Sequence, residues 1–222
     1  MIITRFAPSP TGDPHIGNIR TAFFNYLFAK HSGGKFLLRI EDTDQNRYTR
    51  ESIETIKEAL RWLNIAPENI DNPIVQSQRL DLYQAAAHKL VDEGKAYVCN
   101  CSKERLEQVR ADQTAKKLSP RYDGHCRDLN LPFAEGCVIR MKMPENQIIK
   151  FDDLIRGQIK VNSDTLDDQV LLKSDGFPTY HLAHAIDDHE MGTTHVFRGE
   201  EWLPSAPKHI LLFEMFGFTP PQ

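Results

Sequence analysis

Residues 5 to 31 read RFAPSPTGDPHIGNIRTAFFNYLFAKH, and His15 sits where a stiff loop gives way to a periodic apolar stretch. Pro8, Pro10 and Pro14 each fix φ and remove a donor, so the chain before His15 is a rigid loop rather than a strand or helix. A helix that starts just beyond it presents unpaired N–H groups and a partial positive charge, which suit phosphate. Gly17, in the first turn, permits close approach without a Cβ. His15 can donate a hydrogen bond to a phosphate oxygen. This is no glycine-rich Walker or dinucleotide loop, and an exposed histidine on a structural loop is the alternative.

A second set of reactive side chains is the cysteines at 99, 101, 126 and 137. The chain opens MIITRFAPSP, without the basic start and apolar core of a secretion signal. A cytoplasmic protein is therefore expected, with the cysteines as reduced thiols or metal ligands rather than disulfides. Cys137 lies in an apolar strand and reads as a small core residue. With 27 basic and 31 acidic residues the formal net charge is -4, so any nucleic-acid contact has to come from a local patch. No apolar run is long enough for a membrane span.

These residues need elements to position them. IITRFAP reads as a short strand ended by proline. Ile19, Ala22, Phe23, Tyr26 and Leu27 follow helical spacing until Gly33-Gly34 stops them. KFLLRIED is an apolar run ending in carboxylates, as a buried parallel strand would be. Ile53, Ile56, Leu60 and Leu63 mark a second helix, and a third runs from about Gln78 to Glu93. This order implies a parallel sheet with crossover helices. From about 99 the rhythm changes to turns, a charged helix after Ser102 and short strands such as VIRMK, IRGQIKVN and QVLLKS. YHLAHAIDDH then reads as helix, THVFRG as strand and KHILLFEMF as helix. The fold class expected is α/β, a doubly wound parallel domain interrupted by a mixed α+β insertion. The boundaries are residues 1–98, 99–172 and 173–222.

Pro8-Ser9-Pro10-Thr11-Gly12 followed by His15-Ile16-Gly17-Asn18 resembles the signature of class I aminoacyl-tRNA synthetases, in the glutamyl branch. Ile40-Glu41-Asp42-Thr43-Asp44 with Arg47 resembles the same branch, as do Asp175 to Tyr180, Asp187-Asp188-His189 and Arg198-Gly199-Glu200-Glu201. The motifs come in the family's order and span nearly the whole chain. The resemblance implies a Rossmann-like catalytic domain with an inserted acceptor-binding subdomain. It also implies ATP-dependent activation of L-glutamate and transfer to the 3′ end of tRNA(Glu). The partners implied are glutamate, ATP with Mg2+ and the tRNA acceptor end, with a monomeric protein.

Carried over residue by residue, the family pattern puts Arg5, Ala7, Ser9, Glu41, Tyr180 and Arg198 at the glutamate pocket, with His184 beside it where relatives often have Asn. A guanidinium ending the first strand can take a carboxylate bidentately, and Glu41 can neutralise an ammonium. An ordinary Arg5–Glu41 ion pair and a core Tyr180 are the alternatives. His15, Gly17 and Asn18 would face ATP and its reacting phosphates, with Glu201 near the nucleotide. Cys99, Cys101 and Cys126 resemble the zinc site found in the insertion of many members. A closed site needs a fourth ligand, expected from Asp128, with Tyr122 and His125 as rivals.

The family's Lys-x-Ser-Lys motif has no counterpart in these 222 residues, so an N-terminal portion of a longer synthetase is expected. An enzyme that glutamylates a queuosine base is the runner-up, although its relatives favour Ile where Thr43 stands. A non-catalytic acceptor-binding module would use Lys103, Arg105, Arg110, Lys116, Lys117 and Arg121, which a solvated helix face also explains.

Overall fold

Two β-branched residues and a phenylalanine make ITRF a strand, and β1 (Ile3–Phe6) pairs in parallel with β2 (Lys35–Ile40) from Ile3↔Lys35 to Phe6↔Leu38. β2 continues in parallel to the two-residue β3 (Ile74–Val75), giving the order β1-β2-β3. The computed structural model describes residues 1–44 and 49–222, so Arg47 lies outside the described residues. These residues form two compact units, Met1–Leu80 with Ala183–Gln222, and Asp81–Leu182. The expected insertion at 99–172 lies inside the second.

In the first unit α1 (Ile16–His31) and α2 (Arg50–Trp62) follow β1 and β2. Ala22 and Ala29 of α1, Phe36, Leu38 and Ile40 of β2, and Ile56 and Leu60 of α2 share one core. Burying such side chains is worth about 1.5–3 kcal/mol each for the larger ones. Gly34 ends the α1 connection where only glycine fits: a Cβ there would lie 2.2 Å from the carbonyl oxygen of Ile2.

In the second unit α3 (Leu80–Asp92) begins at the boundary residue and leads into β4 (Ala96–Cys99). α4 (Lys103–Ala115) follows, its first turn capped by the Ser102 hydroxyl accepting from the amide of Arg105. β5 (Val138–Met141) lies between β4 and β8 (Val170–Leu172) in an antiparallel sheet. β6 (Ile148–Asp153) and β7 (Gly157–Asn162) form a separate antiparallel hairpin.

α5 (Tyr180–Glu190) carries the chain back into the first unit, which α6 (Ala206–Phe216) completes. The expected strand at THVFRG does not form. Beside β1 the hydroxyl of Thr194 accepts the amide of Ile3, replacing the backbone partner a ladder would need. The amides of both Thr194 and His195 converge on the carbonyl of Ile3, so no regular pairing propagates. Among the described residues no helix is long and apolar enough to cross a membrane.

Candidate functional site

Arg5 and Arg39 are the penultimate residues of β1 and β2. Arg5 is 3% exposed, and its Nε and Nη2 donate to the two carboxylate oxygens of Asp188 at 2.9 and 3.2 Å. Arg39, wholly buried, donates from Nη1 to Asp188 at 2.5 Å and from Nη2 to Glu41 at 2.8 Å. Asp187, the neighbour of Asp188 on α5, lies 3.8 Å from Arg39 Nε and 3.1 Å from Arg79 Nε, and accepts from Gln76 at 2.8 Å. Arg5 therefore pairs with Asp188 and Glu41 with Arg39; the simple Arg5–Glu41 pair does not occur. Burial alone would raise the Asp188 carboxyl, but the guanidiniums of Arg5 and Arg39 outweigh it and hold it far below the usual range. Burial likewise works against the Arg39 cation, and Asp188, Glu41 and Asp187 hold it charged.

His184, one turn before Asp188 on α5, sits among these groups. Its Nδ1 is 3.1 Å from Asp188 Oδ2, and Nη2 of Arg198 lies 3.0 Å from both ring nitrogens. Burial, then the charges of Arg198, His209, Arg5 and Arg39, push its pKa well below the ordinary histidine value, so the ring is neutral. The network assigns the proton to Nδ1, facing the carboxylate, which leaves the Nε2 lone pair to accept from Arg198. Arg198 also lies 3.3 Å from Nδ1 of His209 and 5.7 Å above the ring of Trp202.

The proline loop is tied to this edge by the Pro8 carbonyl, which accepts the Glu41 amide at 3.0 Å, and by Pro10, which accepts the Thr49 amide at 3.1 Å. Ser9 is exposed between them and Ala7 is half-buried. Asp42, just beyond Glu41, accepts the amide and hydroxyl of Ser77. His15 is the N-cap of α1. Its Nδ1 accepts the Gly17 amide at 3.0 Å, and the Asn18 side chain reciprocally accepts the His15 amide at 3.3 Å. This is a capping box built with an imidazole in place of a hydroxyl or carboxylate. It requires glycine at 17, because a Cβ there would lie 2.8 Å from His15 Cε1. With Nδ1 used as acceptor, the neutral ring carries its proton on Nε2. Glu201 is exposed in the short helical turn Glu200–Ser205, and Tyr180 belongs to the second unit, its ring 5.5 Å from that of His181.

The second unit gathers the cysteines. The sulfurs of Cys99, Cys101 and Cys126 all lie within 4.8 Å of one another, with Cys101 and Cys126 3.5 Å apart. A tetrahedral zinc with Zn–S bonds near 2.3 Å needs sulfurs about 3.8 Å apart, so the donor set fits. Two oxygens lie at the cluster: Asn100 Oδ1 accepts from Cys126 Sγ at 3.5 Å, and the group that reaches more than one sulfur is Tyr122. Its hydroxyl is 3.4 Å from Cys99 Sγ and 3.6 Å from Cys101 Sγ, and accepts the Cys126 amide at 2.9 Å. Asp128 does not join it. The chain turns at Cys126, whose carbonyl accepts the Leu129 amide, and exposed Asp128 pairs with Lys142 at 3.1 Å. His125 is also exposed. Burial pushes the Cys101 thiol up to about 11, whereas at Cys99 the Tyr122 hydrogen bond, the Cys101 amide and Arg140 outweigh burial and lower it. Cys137 is buried outside the cluster.

The family of tRNA synthetases class I (E and Q), catalytic domain, matches residues 1–222. The chain belongs to that family. A glutamate--tRNA ligase of Dehalococcoides mccartyi is 55% identical over 98% of this synthetase domain and 46% of its own length. One from Stutzerimonas stutzeri is 52% identical over 99% of the chain and 47% of its own length. The crystal structure of a glutamate tRNA ligase from Elizabethkingia meningosepticum, in complex with its amino acid, superposes with a TM-score of 0.92 at 45% identity. It covers all of this chain and 48% of that one. The chain thus spans about half the length of the curated relatives it matches.

One part of this catalytic domain's site escapes sequence reasoning, and another was one of three alternatives. Arg39 hides inside an apolar run, and the signal for it is physical: a charged residue in a buried strand needs an equally buried partner. Adjacent Asp187 and Asp188, on a helix otherwise rich in Ala, Ile and Leu, are the matching signal. Tyr122 was a rival ligand from its spacing to Cys126, and only the loop's path separates it from Asp128.

Proposed function

We propose that this catalytic domain binds L-glutamate and ATP and forms glutamyl-adenylate for transfer to tRNA(Glu), as part of a cytoplasmic glutamate–tRNA ligase. The observation that carries the reading is the Arg5–Asp188–Arg39–Glu41 network, with His184 and Arg198 at its side. Arg39, wholly buried, holds Asp188 and Glu41, and Asp188 in turn fixes Arg5, so a carboxylate arriving beside Arg5 would meet an oriented donor, with little reorganisation on binding. Glu41 keeps a second oxygen for an ammonium. In the reaction a glutamate carboxylate oxygen attacks the α-phosphorus of ATP and expels pyrophosphate; a ribose hydroxyl of the tRNA then attacks the acyl carbon and releases AMP. The protein's work is orientation and charge stabilisation. His15 holds its Nε2 proton outward as a donor for a phosphate oxygen, and Gly17 and Asn18 hold His15. Ala7 and Ser9 would line the amino-acid side, and Glu201 the nucleotide side.

The thiol cluster would hold one zinc through Cys99, Cys101, Cys126 and Tyr122. Its chemistry is structural, since four protein donors leave no open position. Binding displaces thiol protons and cross-links β4 to the loop before β5. The boundaries 1–98, 99–172 and 173–222 stand in this reading as catalytic half, acceptor-binding insertion and second catalytic half. The relatives' names favour tRNA charging over queuosine modification.

Glutamate-dependent pyrophosphate exchange, with and without tRNA(Glu), tests the reading. The 222-residue chain is expected to run near background. A chain extended to the relatives' length should exchange at least about a hundredfold faster, the typical effect of one preorganised transition-state donor. An extended chain that exchanges with glutamine or aspartate but not glutamate would refute the assignment.

A further inference from the structure

We propose that Arg140 is the positioning residue of the thiol–phenol metal site, holding Tyr122 as its fourth ligand; the inference rests on the zinc reading above. The antiparallel register pairs Cys99 with Val138 and Tyr97 with Arg140. Residues two apart on a strand share a face, so Arg140 lies diagonally across from Cys99. Its side chain is 6% exposed, and Nη1 donates to the Asp168 carbonyl at 3.0 Å. Its Nε has no hydrogen-bond partner among the described residues. Its guanidinium carbon lies 3.9 Å from the centre of the Tyr122 ring. A planar cation on an aromatic face fixes the plane of the ring, which lysine does poorly. The hydroxyl at the far end of that ring is the one that reaches Cys99, Cys101 and the Cys126 amide.

Charge gives the same answer. Three thiolates around a dication leave a net negative charge, and Cys99 and Cys126 are 2% and 0% exposed. A buried charge needs a buried counter-charge, and Arg140 supplies one. Asp168, which holds Arg140 through its carbonyl, is itself anchored by Arg127, Tyr97 and the Met143 amide. The support therefore runs from a fixed carboxylate residue through Arg140 to the ligand, in the manner of groups outside a metal's own ligands that orient them.

The test measures zinc affinity by competition with a chromophoric chelator, and the visible spectrum of the cobalt-substituted protein. The chain is wild type or carries Arg140→Leu, Arg140→Lys, Tyr122→Phe, or Tyr122→Phe with Arg140→Leu. Arg140→Leu is expected to weaken zinc by about 10- to 100-fold, the usual range for such supporting groups, and to change the cobalt spectrum. Arg140→Lys should fall between it and wild type. In the Tyr122→Phe background the same Leu substitution should cost markedly less, because only the counter-charge is then lost and the ring has no hydroxyl left to position. Zinc-saturated melting of each variant checks that it folds, and Arg140→Lys remains readable if Arg140→Leu does not. Wild-type affinity in the Arg140 variants, or an equal loss with and without the Tyr122 hydroxyl, overturns the proposal alone. A wild-type chain that binds no zinc overturns the metal reading with it.

Discussion

The two units bury polar groups in opposite ways. In the first, Arg5, Arg39, Asp187 and Asp188 are of both signs and satisfy one another. In the second, Cys99, Cys101, Cys126 and Tyr122 are all donors of one kind, pressed together with sulfurs as close as 3.5 Å. A mixed-sign cluster is complete when the chain folds, and a ligand finds it ready. The thiols and phenol stand as neutral groups joined by weak hydrogen bonds, and on the zinc reading a cation that displaces their protons binds them together far more firmly. On the reading proposed above, the first unit would use its buried polar groups for recognition and the second for staying folded.

The sharpest way to break this contrast is to remove the hub of the mixed-sign cluster. Asp188→Ala should destabilise the protein by about 3–5 kcal/mol, because it leaves two buried guanidiniums without their shared partner. Urea denaturation measures it. A loss under about 1 kcal/mol would mean that Arg5 and Arg39 find other partners and the cluster is not a closed set. The like-sign cluster should respond to its cation instead. Free zinc at a hundredfold its Kd should raise stability by about 2.7 kcal/mol, and a chelator should reverse it. Unchanged melting in excess chelator, with four thiols titratable in the native state, would remove the contrast.

The smallest effect is a pH dependence that separates the clusters by sign. The folded pKa of His184 is depressed, so its contribution to stability is present above the unfolded value near 6.5 and is lost as pH falls. Below pH 6.5 stability should drop by up to about 1.4 kcal/mol per pH unit from this one group. His184→Asn should flatten that part of the curve. Asp188, held well below its ordinary value of 3.8 by Arg5 and Arg39, adds a loss only in stronger acid. A variant whose stability between pH 5 and 7 matches wild type would show that another group carries the dependence.

Where the sequence was legible, periodicity made it so. β1, β2 and α2 each bury a pattern that can be read residue by residue, whereas α1 buries Ala22, Asn25 and Ala29 and leaves Phe23 and Leu27 of the expected stripe exposed. Cys99, Cys101 and Cys126 converge as the family resemblance implied. THVFRG had strand composition, yet a threonine hydroxyl took the bond that would have extended the sheet, and composition cannot foresee that. Asp128 and Tyr122 were both within reach of Cys126 along the chain. On an irregular loop, direction depends on turns that no periodicity encodes. Arg39 was read as part of an apolar run because, Glu41 apart, its partners Asp187 and Asp188 lie about 150 positions away on α5, and pairing at that distance leaves no local mark.

One atom pair at His15 does two jobs. Nδ1 closes the first turn of α1, and the same bond leaves the proton on Nε2, where the phosphate reading needs it. Serine or aspartate would cap that helix at least as well, but neither reaches as far or offers a donor there. A screen for thermal stability alone would thus drift toward such residues at position 15, while a screen for nucleotide affinity would return histidine. On the phosphate reading, histidine there, with glycine two residues on, answers two demands that ask for different side chains.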